Sequence, residues 1–255
     1  MLRRAFIFIY GLASYAVFFA TFLYAIGFIG NFFVPRTIDG VAQMGLAEAL
    51  LIDLGLLLLF AIQHSVMARP AFKRVLTRVI PESAERSTYV LASSLALIAL
   101  FYFWQPLGGS IWNVTDPTAR GVIYGLYAFG WLLLLYVTFL INHFDLFGLR
   151  QVWLELVDRP YTDIGFRMPA LYRLVRHPLY VGWIVIFWAT PSMTLTHLVF
   201  AIATTGYILV AIQFEEHDLE TQLGEDYREY KRQVPMLIPF TKRAAAPTLP
   251  ARQPR

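Results

Sequence analysis

Residues 119–142 read ARGVIYGLYAFGWLLLLYVTFLIN, and their only charged side chain is that of Arg120, near the start. A helix rises about 1.5 Å per residue, so a run of this length spans the roughly 30 Å hydrocarbon core of a bilayer. Gly121, Gly125 and Gly130 are expected to let another helix approach this one closely. The stretch therefore predicts a transmembrane helix in an integral membrane protein.

Comparable apolar runs occur along the rest of the chain. The other full-length runs are 5–29, 45–67, 87–104 and 195–214. A shorter run, 179–190, precedes the last one, and the helix-breaking sequence Thr190-Pro191-Ser192 separates the two. The sequence thus predicts an all-α, polytopic transmembrane helical bundle with five full-length spans, plus one short arm of a C-terminal helical hairpin.

The composition supports this class and excludes others. Of the 255 residues, 58% are hydrophobic and only 15% are charged, whereas soluble domains carry about 25% charged residues. The chain contains no cysteine, which excludes disulfides, thiolate metal sites and cysteine nucleophiles. The net charge of +4 arises from short loops between spans, so we expect no nucleic-acid partner.

The distribution of basic residues predicts the topology. Of 21 Lys and Arg residues, only Arg36 and Arg120 fall in loops on one side of the predicted spans. The positive-inside rule therefore places both termini and the long loops in the cytoplasm. Residues 1–240 are predicted to form one integral-membrane domain. Residues 241–255, rich in Ala, Pro and Arg, are predicted to form a disordered cytoplasmic tail.

Polar residues gather at the predicted cytoplasmic ends of the spans. They are Gln63, His64 and Ser65, then Asn142, His143 and Asp145, then Arg176 and His177, and finally Glu215, Glu216 and His217. Solvation by lipid headgroups explains any one of these groups, but four groups from distant parts of the chain also suggest a shared site. Dense ligand motifs such as H-E-x-x-H are missing, so we expect no metal.

The segment 176–182, RHPLYVG, combines a helix start with polar side chains that favour an anion. Proline is favoured at the first position of a helix, so Pro178 marks where the hairpin begins. The free amides of that helix end, together with Arg176, favour a carboxylate or a phosphate, and Tyr180 adds an aromatic face with a hydroxyl. The alternative is a basic cap that contacts lipid headgroups.

At the other end of the hairpin, Glu215 and Glu216 leave the membrane together. Adjacent carboxylates at such a boundary must be solvated, paired or bound to a ligand. Pairing with Arg176 or Arg173 is one interpretation, and hydrogen bonding to ribose hydroxyls is the other.

A further amphipathic segment follows this acidic pair. Leu219, Leu223, Tyr227 and Tyr230 recur at near-helical spacing, interrupted at Gly224. This spacing predicts a cytoplasmic C-terminal helix, which either covers the hairpin or lies at the membrane interface. Asp53, the one acid well inside a span, is expected to make a structural hydrogen bond.

Several of these motifs together resemble a known group of enzymes. The ordered pattern is R-H-P-x-Y-x-G at 176–182, E-E at 215–216, L-G-x-x-Y-x-x-Y at 223–230 and V-P at 234–235. Over about 172–239 it resembles the C-terminal half of the isoprenylcysteine carboxyl methyltransferase superfamily. The segments 63–69, QHSVMAR, and 142–151, NHFDLFGLRQ, are similar to the bacterial methanethiol S-methyltransferase family.

This resemblance implies an integral-membrane enzyme of the bacterial inner membrane that uses S-adenosyl-L-methionine. The cofactor is expected to enter from the cytoplasm and to lie beside the hairpin, within 172–239. The implied pocket residues are Arg176, His177, Tyr180, Glu215 and Glu216, with Tyr227 and Tyr230 on the covering helix. The implied reaction converts a small thiol, methanethiol, to dimethyl sulfide.

Such a reaction requires in-line alignment of the nucleophile with the methyl group, and a deprotonated thiol. His64 and His143 are the candidate bases, and Arg150 or Arg176 the candidate stabilisers of the thiolate. Two alternatives stay open. In the first, the acceptor is a prenylcysteine carboxylate, a phospholipid amine or a longer thiol; in the second, the chain is a non-catalytic accessory protein of nitrogen-oxide metabolism.

Overall fold

A computed structural model describes residues 1–162 and 170–241. The helices are α1 (Leu2–Gly30), α2 (Leu46–Ala68), α3 (Pro70–Leu76), α4 (Glu82–Phe103), α5 (Pro117–Ile141), α6 (His143–Leu146), α7 (Leu149–Leu156), α8 (Pro178–Trp188), α9 (Leu195–Leu223) and α10 (Glu225–Gln233), with a 3₁₀ turn at Ala170–Arg173. Two short strands, β1 (Ser110–Asn113) and β2 (Ser192–Thr194), pair antiparallel. Nearly all of the predicted disordered tail, residues 242–255, lies outside the described residues.

The predicted fold class is confirmed. Within the described residues, five helices are long and apolar enough to cross a membrane, namely α1, α2, α4, α5 and α9. Each begins and ends within three residues of the predicted bounds, except that α4 begins at Glu82 instead of residue 87 and α9 continues past Phe214 to Leu223. This extension carries its acidic residues beyond the apolar run. The chain is therefore a polytopic integral membrane protein.

The helices form a closed series of contacts. α1 packs against α4 and α7, α4 against α2, α2 against α9, α9 against α8, and α8 against α5. The series closes because the Tyr127 hydroxyl on α5 donates to the carbonyl of Ile26 on α1 at 2.6 Å. Nearby, the rings of Phe22 and Trp131 meet edge to face. Aromatic side chains such as Phe28 and Phe101 fill the core between these helices.

α5 and α8 approach closely where two glycines face each other. A Cβ on Gly130 would lie 2.8 Å from Ile186 Cγ1 and 3.2 Å from the carbonyl oxygen of Gly182. The prediction that glycines of α5 mediate packing is therefore right for Gly130. It is wrong for Gly121 and Gly125, where an added Cβ would meet nothing within 4 Å.

The two ends of the bundle differ in character. At the end where α1 begins and α2, α5 and α9 finish, ion pairs join separate elements: Arg3 to Glu155 at 3.1 Å, Arg4 to Asp158 at 2.6 Å and Arg69 to Asp218 at 2.8 Å. We call this the basic end. β1 and β2 lie at the opposite end.

α8 is the short arm of the hairpin, with 11 residues. At about 1.5 Å per residue it covers about half of a bilayer core. The chain beyond it is held by other elements, because Trp112 Nε1 donates to the carbonyl of Thr190 at 3.2 Å and the amide of Val114 donates to that of Pro191 at 2.9 Å. His197 Nε2 contacts the carbonyl of Phe187 at 3.0 Å. The broken hairpin predicted from Thr190-Pro191-Ser192 is confirmed.

The buried acid of α2 makes the expected structural contact. Asp53 is fully buried, and its Oδ1 accepts a hydrogen bond from the amide of Gln105 at 2.9 Å. Gln105 follows α4, so this bond fixes the chain between α4 and β1 to α2.

Candidate functional site

A buried ion pair lies where α8, α9 and α10 meet at the basic end. The Arg176 guanidinium contacts Glu216 Oε1 through both Nε and Nη2, each at 2.7 Å. Its Nη1 donates to the carbonyls of Val234 at 2.5 Å and of Lys231 at 3.2 Å. Each of the two charged side chains is only 4% exposed. The pair is therefore shielded from solvent, and most of its hydrogen-bonding groups already have protein partners.

His177 and Lys231 complete this ionic cluster, which consists of Arg176, His177, Glu216 and Lys231. His177 Nε2 lies 3.0 Å from Glu216 Oε1, and Lys231 Nζ lies 3.0 Å from Oε2. Hydrogen bonds from Lys231 to Glu220 and Glu216 raise the pKa of the lysine ammonium. Both oxygens of Glu216 thus have protein partners.

The backbone strengthens the same junction. The amide of Arg176 donates to the carbonyl of Pro235 at 2.9 Å, and that of His177 to Met236 at 3.2 Å. These two amides precede α8, and they hold the segment that follows α10.

Tyr227 and Tyr230 lie on the buried face of α10. With Val234 they form a small apolar cluster against Leu219 and Leu223 of α9. The Tyr230 hydroxyl donates to the carbonyl of Tyr172 at 2.7 Å, and burial raises the pKa of both α10 tyrosines. The predicted C-terminal helix is confirmed, and these tyrosines attach it to the hairpin.

Glu215 differs sharply from its neighbour Glu216. Its side chain is 46% exposed, and its Oε2 accepts a hydrogen bond from the Tyr180 hydroxyl at 3.0 Å. His177 Nδ1 lies 3.9 Å from the same oxygen. Of the two predicted carboxylates, Glu215 is the one that a ligand can reach without breaking the ionic cluster.

His64 lies at the centre of a second polar group, between α2 and α4. The Tyr89 hydroxyl lies 2.9 Å from its Nε2, and Ser93 Oγ lies 3.2 Å from its Nδ1. The ring of Phe60 stacks on the imidazole with centroids 5.1 Å apart. Two hydroxyls and an aromatic ring therefore hold the imidazole in place.

A tyrosine connects the residue after His64 to the hairpin. Tyr207 of α9 shares a hydrogen bond with Ser65 of α2, at 2.9 Å. We call His64, Tyr89, Ser93, Ser65 and Tyr207 the His64 cluster; its members come from α2, α4 and α9.

Sequence reasoning missed three members of the His64 cluster: Tyr89, Ser93 and Tyr207. Tyr89 and Ser93 are four residues apart, a spacing that places them on one face of α4. Polar side chains at that spacing inside an apolar run are the signal that was available in the sequence.

Gln63 contributes an unused acceptor beside this cluster. Its Nε2 contacts Ser93 Oγ at 3.3 Å and Met67 Sδ at 3.2 Å. Its Oε1 is buried and accepts no hydrogen bond from the described residues. Buried acceptors are normally paired, so this oxygen is available to a ligand donor.

His143 lies in a separate network. Its Nε2 is 2.8 Å from the Tyr15 hydroxyl of α1, and its Nδ1 is 2.9 Å from Thr138 Oγ1 of α5. Phe139 stacks on the ring at 4.4 Å. Burial lowers the pKa of His143, which favours the neutral ring. The hydrogen-bond partners of the two candidate bases therefore come from different helices.

Arg150, the predicted stabiliser of a thiolate, is held by its own surroundings. Its Nη1 binds Asp145 Oδ1 at 2.9 Å and the carbonyl of Thr162 at 2.9 Å. Its Nη2 binds Thr162 Oγ1 at 2.8 Å, and the guanidinium lies over the ring of Tyr161.

An apolar cleft of about 600 Å³ lies away from these groups, between α1 and α5. Its lining includes Ile26, Phe32, Tyr124, Tyr127 and Trp131. None of the predicted site residues lines it, so the cleft is separate from the polar site.

Comparison with known proteins gives a consistent result. A family model described as NnrU protein matches residues 52–238. The chain is 57% identical to methanethiol S-methyltransferase of Crocosphaera subtropica, with 94% of each chain covered. It is 52% identical to the methanethiol S-methyltransferase of Mycobacterium tuberculosis, over 95% of this chain and 99% of that one.

More distant similarity extends to animals. The chain is 33% identical to nurim of Xenopus laevis, over 71% of this chain and 67% of that protein. No solved structure matches the chain.

Proposed function

The chain belongs to the NnrU protein family and to the family of the methanethiol S-methyltransferases, and from this we propose that it methylates methanethiol to dimethyl sulfide. The observation that carries the proposal is 57% identity over 94% of both chains. The chain is thus a methyltransferase. We propose S-adenosyl-L-methionine as its methyl donor.

The reaction places limited demands on the protein. When bound, the donor supplies a methyl group activated by a sulfonium. The thiol sulfur forms the new bond to carbon, the electron pair of the old bond stays on the leaving sulfur, and the thiol proton is released. The residues must align the sulfur, exclude water and accept that proton, because an unperturbed thiol holds its proton at neutral pH.

His64 is placed to accept the proton in this proposal. A neutral imidazole has one nitrogen without a proton, and hydroxyls can donate or accept as required. Tyr89 and Ser93 are at 2.9 and 3.2 Å, so they hold the ring in either tautomer. Both ring nitrogens of His143 are likewise engaged, by Tyr15 and Thr138, but this side chain is buried, whereas that of His64 is partly exposed, which favours His64 as the base.

Glu215 and Tyr180 are proposed to contact the donor. Glu215 is half exposed and keeps one oxygen clear of Tyr180, which suits the hydroxyls of a ribose or the charge of an ammonium group. Gln63 Oε1, which has no hydrogen-bond partner among the described residues, provides a second acceptor. Arg176, His177 and Glu216, with Tyr227 and Tyr230, are proposed to shape the pocket by fixing α8, α9 and α10 together.

The proposed location is the bacterial inner membrane, with both termini in the cytoplasm. The bias of Lys and Arg toward the basic end supports this orientation, because Arg36 and Arg120 are the exceptions. The His64 cluster and Glu215 then lie on the side where a soluble, nucleoside-bearing donor is available.

The decisive experiment supplies purified protein in lipid nanodiscs with methanethiol and S-adenosyl-L-methionine. Headspace gas chromatography should detect dimethyl sulfide in proportion to S-adenosyl-L-homocysteine. The His64→Gln variant should lower the rate by about 10²–10⁴-fold at neutral pH, with partial recovery at higher pH. His143→Gln serves as the matched control.

Two results would oppose the proposal. Donor binding without any dimethyl sulfide would favour another acceptor, to be sought among longer thiols, phospholipid amines and prenylcysteine carboxylates. Absence of both binding and product would favour a non-catalytic accessory protein.

A further inference from the structure

A polar stripe runs along α4 from the basic end into the membrane. Glu85, Tyr89 and Ser93 are spaced four residues apart, which places them one above another on a single helix face. Glu85 lies in the first turn of α4, and Ser93 lies two turns deeper. From the membrane interior to the end of the helix, the stripe therefore presents the Ser93 hydroxyl, the Tyr89 phenol and the Glu85 carboxylate.

The inner end of the stripe meets His64. Tyr89 and Ser93 are the two hydroxyls that contact its imidazole, at 2.9 and 3.2 Å. A tyrosine hydroxyl both donates and accepts, so it can take a proton on one side and pass one on at the other. Tyr89 thus connects the proposed base to the next turn of α4.

The outer end of the stripe is unusual. Glu85 is only 14% exposed, and its Oε1 is buried and accepts no hydrogen bond from the described residues. The nearest cation is Lys73 of α3, whose Nζ lies 3.9 Å from that oxygen, beyond hydrogen-bond distance. A buried carboxylate oxygen without a hydrogen bond calls for an explanation.

The proposed methylation of a thiol explains why a carboxylate is needed at this position. The neutral thiol and the cationic donor yield two neutral sulfur compounds and one proton, so every turnover leaves a proton at the base. A base inside the bundle must release that proton before the next turnover. A protein with a buried base therefore needs a route from it to water.

We propose that Tyr89 and Glu85 form this route: the proton passes from the His64 imidazole through the Tyr89 hydroxyl to the Glu85 carboxylate, and leaves at the basic end. A water molecule completes the step between Tyr89 and Glu85, which lie one turn apart. This inference rests on the proposed function for its role, and on the α4 stripe for its geometry.

Two positive charges lie beside the stripe. The Arg86 guanidinium carbon is 5.7 Å from the centroid of the Tyr89 ring, and Lys73 faces Glu85 from α3. These charges lower the affinity of the stripe for a proton, which favours release of the proton to water. Tyr89 and Glu85 are positioning and relay residues here, since neither is assigned to the donor or the thiol.

One test does not require turnover. In protein labelled with ¹⁵N-histidine, the His64 ring signals are assigned by their absence in His64→Gln, and the exchange of the ring proton with water is measured by NMR. Glu85→Gln and Tyr89→Phe should slow this exchange several-fold. Glu82→Gln, an exposed acid in the same turn, should leave it unchanged. Equal exchange rates in all variants overturn the relay, whatever the substrate.

The second test uses the reaction. Glu85→Gln should lower kcat several-fold at neutral pH with KM unchanged, and imidazole buffer should restore the rate by carrying the proton directly. Glu85→Asp should retain most activity. If Glu85→Gln lowers kcat and buffer does not restore it, Glu85 is structural and the inference fails. If slowed exchange is found but no variant or wild-type protein methylates methanethiol, the relay stands and the proposed substrate fails.

Discussion

Arg176 and Glu216 are separated by 40 residues in the chain, yet two guanidinium nitrogens meet one carboxylate oxygen at 2.7 Å. One residue lies just before α8 and the other near the end of α9, so the contact fixes both arms of the hairpin at the basic end. The carbonyls of Lys231 and Val234 share the same guanidinium, which adds α10 to the junction.

Glu216→Gln should destabilise the fold. Removing one partner leaves the Arg176 charge buried without compensation, which costs about 3–5 kcal/mol. We expect a lower unfolding temperature in detergent and faster proteolysis at α10. The control is Glu229→Gln, which breaks an exposed pair with Arg232. Equal stability of Glu216→Gln and wild-type protein would show that the ionic cluster does not hold α8, α9 and α10 together.

Glu215→Gln should weaken donor binding and leave folding intact. A hydrogen bond to a charged group contributes about 1.5–3 kcal/mol, equivalent to roughly 10–100-fold in Kd. Calorimetry with S-adenosyl-L-methionine measures this directly. The paired variant Tyr180→Phe keeps the Glu215 carboxylate and should therefore lose less affinity for the donor. Unchanged affinity in Glu215→Gln would remove Glu215 from the proposed pocket.

Gly130→Ala should destabilise the contact between α5 and α8 by about 1–3 kcal/mol, because the new methyl group overlaps Ile186 and approaches Gly182. Gly125→Ala, in the same helix but in open space, should instead add about 0.5–1 kcal/mol through better helix propensity. Thermal unfolding of the two variants side by side is the measurement. Equal loss in both would contradict the close approach.

His143 should make stability depend on pH. Burial lowers the pKa of this ring in the folded state, so the unfolded chain binds the proton more tightly. The contribution of His143 to the free energy of unfolding is therefore complete above the pKa of the unfolded chain, about 6.5, and declines as the pH falls below that value. Unfolding temperatures at pH 5 and 7.5 should differ less in His143→Gln. An exposed control, His217→Gln, should retain the wild-type difference.

Single cysteines can test the orientation, because the natural chain has none. Cysteines at the exposed positions Arg78 and Arg159 should react with a membrane-impermeant maleimide only after permeabilisation of cells. A cysteine at Thr115, at the opposite end, should react in intact cells. Labelling of Arg159→Cys in intact cells would place the His64 cluster on the wrong side for a cytoplasmic donor.

The spans were predictable because a bilayer selects for length and apolarity, both of which can be read locally. Pro178 and Pro191 likewise mark the bounds of the short arm directly. The spacing of glycines carried less information, since Gly121, Gly125 and Gly130 look alike in sequence and only Gly130 faces another helix.

The candidate site was predictable only in part. Sequence placed Glu215 and Glu216 together at the end of α9, but their rotation about the helix decides that Glu216 is buried while Glu215 is half exposed. It also grouped His64 with His143, whose partners lie on different helices. These distinctions depend on which helices become neighbours, and that is a property of packing rather than of local pattern.

The 11-residue length of α8 has a consequence for biogenesis. A translocon admits a segment to the lipid according to its length and apolarity, and an arm that reaches about half of the core cannot be accepted as an independent span. We therefore expect α8 to enter the membrane together with α9, against the surface and the hydrogen bonds that α5 and β1 provide. The last third of the chain is then inserted as one unit and not as separate spans.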